Sequence, residues 1–134
     1  MKKKDKELLL KDLCARLPYN TIVSMAEGGV DGVKWNKVEL TLSLLNQIEE
    51  EGAWEFVKPY LRPMESMTEQ EKKEFEDFCV IDEDAWMRKG ITGFINQSII
   101  MSNGIDWLNR HHFDYRVLIP KGLAIEAPEG MYNF

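Results

Sequence analysis

Hydrophobic residues near the start of the chain recur at intervals of three and four positions, with charged residues between them. Such spacing places the apolar side chains on one face of a helix, and we predict an amphipathic helix over residues 5–17. Pro18 ends it, because the residue before a proline resists the helical backbone. We expect Leu9, Leu10, Leu13, Cys14 and Leu17 to face the core, and Lys11, Asp12 and Arg16 to lie off that face.

The pattern then changes to short runs rich in β-branched residues, separated by glycine. We predict strands over residues 20–26 and 33–42, joined by a turn that contains Gly28, Gly29 and Gly32. A short strand, or the rim of the sheet, is predicted over residues 54–57. Residues 44–51 fit either a helix or a third strand.

The middle of the chain carries proline and capping signals. Pro59 and Pro63 predict that residues 58–64 form an ordered, extended crossing rather than a helix. Thr68 and Glu71 have the spacing of a capping box, which predicts a helix that ends near residue 79 or 80. The acidic run at residues 82–84 favours the start of another helix over a calcium loop, since such a loop needs alternating ligands and a glycine turn.

The last third of the chain combines many large apolar residues with both histidines. We expect this stretch to thread through the core. Residues 94–101 fit either a strand or a helix. Asn103 is a candidate N-cap for a helix over residues 104–112, and residues 124–127 are predicted as a short strand.

Together these elements predict a single α+β domain over residues 1–134. We expect its β-rich part at about 19–57 and its helical and irregular part at about 64–134. The predicted sheet is small and antiparallel, or a partly open barrel. An N-terminal helix and two or three further helices pack against it.

Composition and charge argue against several classes of function. The 134 residues include 17 Lys and Arg against 23 Asp and Glu, a formal net charge of −6. Such a balance disfavours nucleic-acid and anionic-membrane binding, which need a basic field. No apolar run approaches the ~18–20 residues that cross a bilayer, and no signal peptide is visible. Cys14 and Cys79 lack partners at metal-ligand spacing, so we expect reduced thiols and a cytoplasmic location.

The densest polar group in the sequence is the candidate site. It consists of His111, His112, Asp114 and Arg116, with Tyr115 among them. Adjacent histidines on one helix point about 100° apart and rarely bind one ion, so we expect no metal there, and no cofactor. A pair such as His111 and Asp114 could serve acid–base or phosphoryl chemistry, but no nucleophile or phosphate cradle accompanies it. We favour a structural role in which the histidines cap the end of a helix.

Two segments resemble a known group of proteins. They are similar to small uncharacterised proteins from prophages and mobile elements of gut anaerobic bacteria. The first segment is residues 58–64 (KPYLRPM) with residues 66–71 (SMTEQE). The second is residues 105–116 (IDWLNRHHFDYR), running on to Met131 and Tyr132. The resemblance covers about half of the chain, and residues 30–55 and 82–102 take no part in it. It implies an intracellular accessory protein of a mobile element, and it transfers no activity, cofactor or catalytic residue.

Three functional hypotheses follow from these patterns. We favour a non-enzymatic module that contacts a phage or host protein. The alternative is a small enzyme that uses the His/Asp/Arg group near residues 111–116 on a phosphoester. A third possibility is an acidic decoy that mimics nucleic acid, which needs its acidic side chains gathered on one face.

Overall fold

The computed structural model describes residues 1–29, 32–79 and 85–132. Its four α-helices are α1 (Lys3–Arg16), α2 (Leu42–Glu51), α3 (Glu69–Phe78) and α4 (Ala85–Arg110), and its four strands are β1 (Ile22–Gly29), β2 (Gly32–Glu39), β3 (Val57–Leu61) and β4 (Ile125–Glu126). The sheet is not closed into a barrel and has the strand order β2-β1-β3-β4. The predicted α+β class and the N-terminal helix are therefore confirmed.

The N-terminal helix α1 packs on the sheet, but its inward face differs from the predicted one. Leu9 and Leu13 are fully buried, as expected. Asp12 and Arg16 are also fully buried, whereas Cys14 is exposed. The prediction was wrong for these three residues, because distant polar partners draw Asp12 and Arg16 into the interior.

Three antiparallel strands form the body of the sheet, and β4 adds a parallel edge. The β1–β2 register runs from Ile22 opposite Glu39 to Gly29 opposite Gly32, and Val23 of β1 lies opposite Pro59 of β3. On the other side of β3, the short strand β4 pairs in parallel. Alternate residues of β3, namely Val57, Pro59 and Leu61, are buried. The sheet thus buries one face against the helices.

The segments that the sequence left ambiguous, and the one that contains the prolines, have defined secondary structure. Residues 44–51 belong to α2, which is capped by the Thr41 hydroxyl and ends at Gly52 with a φ of 61°. Of the two alternatives for residues 54–57, a short strand or the rim of the sheet, the strand was wrong for the first three positions, which form a 3₁₀ turn (Trp54–Phe56). That turn places the Trp54 side chain in the core, and the strand begins only at Val57. Pro59 sits inside the strand, so the extended crossing predicted there is part of the sheet.

Two helices follow β3. The predicted capping box is present at the start of α3: the Glu71 N–H donates to the Thr68 hydroxyl, and the Thr68 N–H donates to the Glu71 carboxylate. The ambiguous residues 94–101 are helical, inside α4. Asn103 also lies inside α4, so the N-cap predicted there was wrong. The acidic run at residues 82–84 falls outside the described residues. Within the described parts of the chain, no helix has both the length and the apolar character needed to cross a membrane.

The described residues form three clusters of buried side chains, and the C-terminal stretch contributes to two of them. The first cluster links α1, β1, α2 and β3, and includes Leu9, Leu13, Val23, Ile48 and Trp54. The second joins β3 to the segment after α4 through Leu61, Leu118, Leu123 and Ala124. The third holds Trp107, Leu108 and Phe113 at the end of α4, with Phe75 of α3 packed against them. The chain after α4 therefore places Phe113, Leu118, Leu123 and Ala124 in the interior, while residues 120–122 and 128–130 are exposed.

Candidate functional site

The four predicted site residues lie directly after α4, but the structure does not gather them into one cavity. His112 and Asp114 are buried at 4% and 5% exposure. Arg116 donates from Nη1 to the buried carboxylate of Asp12 over 2.9 Å. Only His111 lines a surface groove. The His/Asp/Arg group that the sequence suggested is therefore split between the interior and the surface.

His112 occupies a closed polar position between the sheet and the C-terminal segment. Its backbone is left-handed, with a φ of 63°, which turns the chain away from the end of α4. Its ring stacks on Tyr132 at a centroid distance of 3.7 Å, and its Nδ1 lies 3.1 Å from the Thr21 hydroxyl. Burial, followed by the nearby charge of Arg16, lowers the pKa of His112 to about 3. The ring is thus neutral near pH 7 and poorly matched to proton transfer there.

Asp114 stabilises the loop after α4. Its carboxylate accepts the Leu118 N–H at 2.8 Å and the Ile119 N–H at 2.9 Å. Its backbone N–H donates to the Arg62 carbonyl at 2.8 Å. The side chain thus satisfies buried backbone donors of the turn, a role typical of aspartate.

A buried charge network, which the sequence did not indicate, holds α1 to this loop. Arg16 donates from Nε to Asp12 over 2.8 Å and from Nη2 to the Phe113 carbonyl over 2.7 Å. Asp12 also accepts the hydrogen bond from Arg116, so one carboxylate serves two guanidinium groups. A buried charge is tolerated only when it is paired and hydrogen-bonded, and this network meets that condition for Asp12. The network joins the N-terminal helix to the C-terminal third of the chain.

A groove lies beside His111. It measures about 960 Å³ and lies between the start of α3 and residues 126–132. His111 is held at its rim by the Trp107 ring, which stacks on it at 3.9 Å, and by a 2.9 Å contact between its Nδ1 and the Trp107 carbonyl. The residues that line it are mostly polar and acidic: Ser66, Thr68, Gln70, Glu71, Glu74, Glu126 and Glu129. We call this surface the acidic groove.

An ion pair supports one wall of the acidic groove. Arg62 donates to both carboxylate oxygens of Glu71, over 2.7 and 2.9 Å. The Arg62 guanidinium also lies 4.2 Å from the centre of the Phe113 ring, which fixes its position. The hydrogen bonds from Arg62 lower the pKa of Glu71 and keep it ionised. The charge of Arg62 is therefore already neutralised by a carboxylate within the groove.

Three further carboxylates line the acidic groove. Glu74, Glu126 and Glu129 are exposed, and none of them has an ion-pair partner within the described residues. They come from α3, from β4 and from the turn after β4, so only the tertiary fold brings them together. A concave surface with a net excess of carboxylates favours a cationic ligand and repels an anionic one.

Sequence reasoning found His111 but missed the rest of the acidic groove. Single glutamates on a helix or in a turn are common at any surface, so nothing in the sequence distinguished Glu74, Glu126 or Glu129. Within the described ranges, no three His, Cys, Asp or Glu side chains are arranged to hold a metal ion.

Comparison with known proteins adds no identification. No family model, no curated protein sequence and no solved structure matches this chain. The resemblance of residues 58–71 and 105–132 to proteins of prophages and mobile elements therefore stays a prediction.

Proposed function

We propose that this protein is a non-enzymatic interaction module whose acidic groove receives a lysine- or arginine-rich segment of a partner protein. In this proposal it acts in the cytoplasm, as an accessory protein of a mobile element, and the partner belongs to the phage or the host. The observation that carries the proposal is the convergence of Glu74, Glu126 and Glu129 on one concave surface.

The form of the acidic groove favours an extended segment over a small molecule. It runs beside residues 126–130, which continue from β4, the edge strand of the sheet. Edge strands and the chain next to them offer backbone groups to an incoming extended segment, while flanking side chains select its sequence. The carboxylates on the two walls supply that selection for basic residues.

The two other functions suggested by the sequence find less support. A phosphoester carries negative charge, which the glutamates around His111 repel, and Asp114 and Arg116 are engaged elsewhere. A nucleic-acid decoy needs acidic side chains gathered on one face. Exposed glutamates instead occur on α1, β2, α2 and α3 as well as at the acidic groove.

Binding of basic peptides to matched charge variants tests the proposal. The groove variant carries Glu74→Gln, Glu126→Gln and Glu129→Gln, and the control variant carries Glu7→Gln, Glu39→Gln and Glu50→Gln. The three control residues are exposed and lie on α1, β2 and α2, so the change in net charge is the same in both proteins. The probe is a library of fluorescent, unstructured peptides with two to four Lys or Arg residues, measured by anisotropy.

We expect some peptides to bind the wild type, and binding to weaken as salt rises. The groove variant should lose about tenfold in affinity, because an exposed charge contact is typically worth about 0.5 kcal/mol and three are removed. The control variant should bind nearly as the wild type does. Equal weakening in both variants would indicate nonspecific attraction and contradict the proposal, as would a library without any binder.

A further inference from the structure

Helix α4 carries a stripe of exposed aliphatic side chains. Five large residues on it are between 43% and 68% exposed: Ile91, Ile95, Ile99, Met101 and Ile105. At 100° per residue they fall within an arc of about 160°. The side of α4 that meets the rest of the protein lies opposite and holds Gly104, Trp107 and Leu108. Where the stripe faces solvent, a helix ordinarily carries polar side chains.

Four of the five stripe residues lie symmetrically about Ser98 along the helix, and the fifth, Ile99, corresponds to Gln97. Ile91 and Ile105 each lie seven positions from Ser98, and Ile95 and Met101 each lie three positions from it. In a twofold-symmetric contact between two antiparallel helices, residues at equal distances on either side of the axis meet each other. A twofold axis at Ser98 would therefore place isoleucine against isoleucine at the ends and isoleucine against methionine nearer the centre. The small serine at the axis lets the two helices approach closely.

Charges at the ends of the stripe fit the same arrangement. Residues 91–105 contain no Asp, Glu, Lys or Arg. The first charged residues beyond them are Lys89 on one side and Asp106 on the other, and both are exposed. Gly90 has non-helical backbone angles (φ 60°, ψ −141°), so α4 is kinked there and Lys89 lies just beyond the kink. Lys89 precedes the stripe by two positions and Asp106 follows it directly, so an antiparallel pairing places opposite charges at the same end of the contact.

We infer that α4 pairs antiparallel with α4 of a second copy of this chain, with the twofold axis at Ser98. The spacing supports this occupant, because Ile91, Ile95, Ser98, Ser102 and Ile105 alternate by four and three, the periodicity of helices that pack side by side. A helix that lies on a membrane surface would instead carry Lys and Arg along its polar face, and residues 91–105 have none. The pairing is independent of the acidic groove and does not rest on the proposed function.

The size of the stripe sets the expected strength of the dimer. A contact made by one helix from each copy falls at or below about 1,200 Å² in total, the range of transient complexes. We therefore expect a monomer–dimer equilibrium with a dissociation constant on the order of micromolar to tens of micromolar, rather than a permanent dimer.

Sedimentation velocity of matched variants tests the pairing. The wild type should shift from monomer to dimer as its concentration rises, and Ile95→Glu should weaken association at least tenfold. The control is Leu42→Glu on α2, whose side chain is 62% exposed and lies outside the stripe. It should associate as the wild type does. A wild type that stays monomeric up to about a millimolar, far above the range of specific transient complexes, would overturn the inference. Equal effects of the two glutamates would also overturn it.

Cysteine crosslinking tests the position of the axis. In a Cys14→Ser background, which removes the exposed thiol, we introduce Ser98→Cys or Ile95→Cys. The Ser98→Cys protein should form a disulfide-linked dimer under mild oxidation, because position 98 meets itself at the axis. The Ile95→Cys protein should not, because position 95 faces position 101 of the second copy. Rapid crosslinking of both would indicate a parallel pairing and overturn the arrangement, and failure of Ser98→Cys to crosslink would overturn it as well.

Discussion

At the scale of single residues, His112 shows how a polar ring is accommodated in the interior. Its Nδ1 contacts Thr21, its face covers the Tyr132 ring, and the guanidinium of Arg16 lies near enough to oppose a positive charge on it. The site therefore accepts the neutral imidazole and disfavours the imidazolium. Protonation of His112 is consequently linked to unfolding.

We predict that His112 makes stability fall as the solution becomes acidic. Its folded pKa of about 3 lies below the ordinary value of 6.5. Above pH 6.5 both the folded and the unfolded chain hold a neutral ring, and His112 adds no pH dependence. Below pH 6.5 only the unfolded chain takes the proton, so the free energy of unfolding should drop by up to about 1.4 kcal/mol per pH unit toward pH 3. Urea denaturation at pH 7.5, 6.5, 5.5 and 5.0 measures the slope.

The matched variant for this experiment is His112→Asn, since asparagine tolerates the left-handed backbone at this position. It should be less stable than the wild type at pH 7.5, because the stacking on Tyr132 is lost. Between pH 6.5 and 5.0 its stability should depend on pH less steeply. Parallel slopes for the two proteins would show that His112 does not resist protonation in the fold.

The candidate site was only partly predictable, and the reason lies in the range of its contacts. The i,i+4 contact between Trp107 and His111 follows from helix geometry and is present. The burial of Arg16 and Asp12 does not follow from local pattern, because their partners Phe113 and Arg116 lie 97 and 104 positions away. Read locally, an i,i+4 pair of opposite charges on a helix favours solvent exposure.

At the scale of elements, the contact between α3 and α4 depends on a glycine. A Cβ at Gly104 would lie 2.9 Å from the Sγ of Cys79 and 3.4 Å from the Phe75 ring. Gly104 thus permits close packing, at the cost of the lower helix propensity of glycine. In the sequence, Gly104 was only the first residue of a predicted helix, because the pattern could not show that α3 packs against it.

We predict opposite effects of Gly104→Ala in two backgrounds. In the wild type, overpacking against Cys79 should exceed the gain in helix propensity and lower the free energy of unfolding by about 1 kcal/mol. In a Cys79→Ala background the sulfur is absent, and the same substitution should be neutral or stabilising by up to about 1 kcal/mol. A double-mutant cycle from urea denaturation gives the coupling. Additive effects would mean that the two helices adjust without strain.

The sequence predicted well those elements whose defining residues lie close together in the chain. The capping box of α3 involves residues three positions apart, and Pro18 sits beside the helix end it causes. Where the outcome depends on distant contacts, prediction was incomplete. Trp54–Phe56 forms a 3₁₀ turn because Trp54 packs among Leu9, Leu13 and Ile48. Asn103 continues a helix because Gly104 packs on α3.

At the scale of the whole molecule, the C-terminal segment completes the sheet. The β1–β3 ladder runs from Met25 and Val57 to Val23 and Pro59, and the next pair would be Ile22 and Tyr60. The hydroxyl of Tyr132 stands between them instead. It accepts the Ile22 N–H at 2.9 Å and donates to the Tyr60 carbonyl at 2.8 Å. A side chain thus replaces one rung of the ladder.

We predict that Tyr132→Phe lowers the free energy of unfolding by about 1–3 kcal/mol, since it leaves backbone groups at the end of two strands without their partner. Burial already raises the pKa of Tyr132 to about 12, consistent with a hydroxyl that stays protonated and donating. Tyr19→Phe is the matched control, because the Tyr19 hydroxyl makes no hydrogen bond within the described residues while its ring packs beside Arg110. Its cost should stay within about 0.5 kcal/mol, as for ordinary surface changes.

Hydrogen exchange of the Ile22 amide shows whether a loss of stability in Tyr132→Phe arises at this rung of the ladder or across the whole strand. If the hydroxyl completes the ladder, Tyr132→Phe should speed exchange at Ile22 more than at Ser24, whose position is paired on both sides within β1, β2 and β3. A uniform increase across β1 would instead mean that loss of the hydroxyl loosens the whole strand rather than this one rung of the ladder. The same ring covers His112, so loosening it should also weaken the pH dependence that His112 confers.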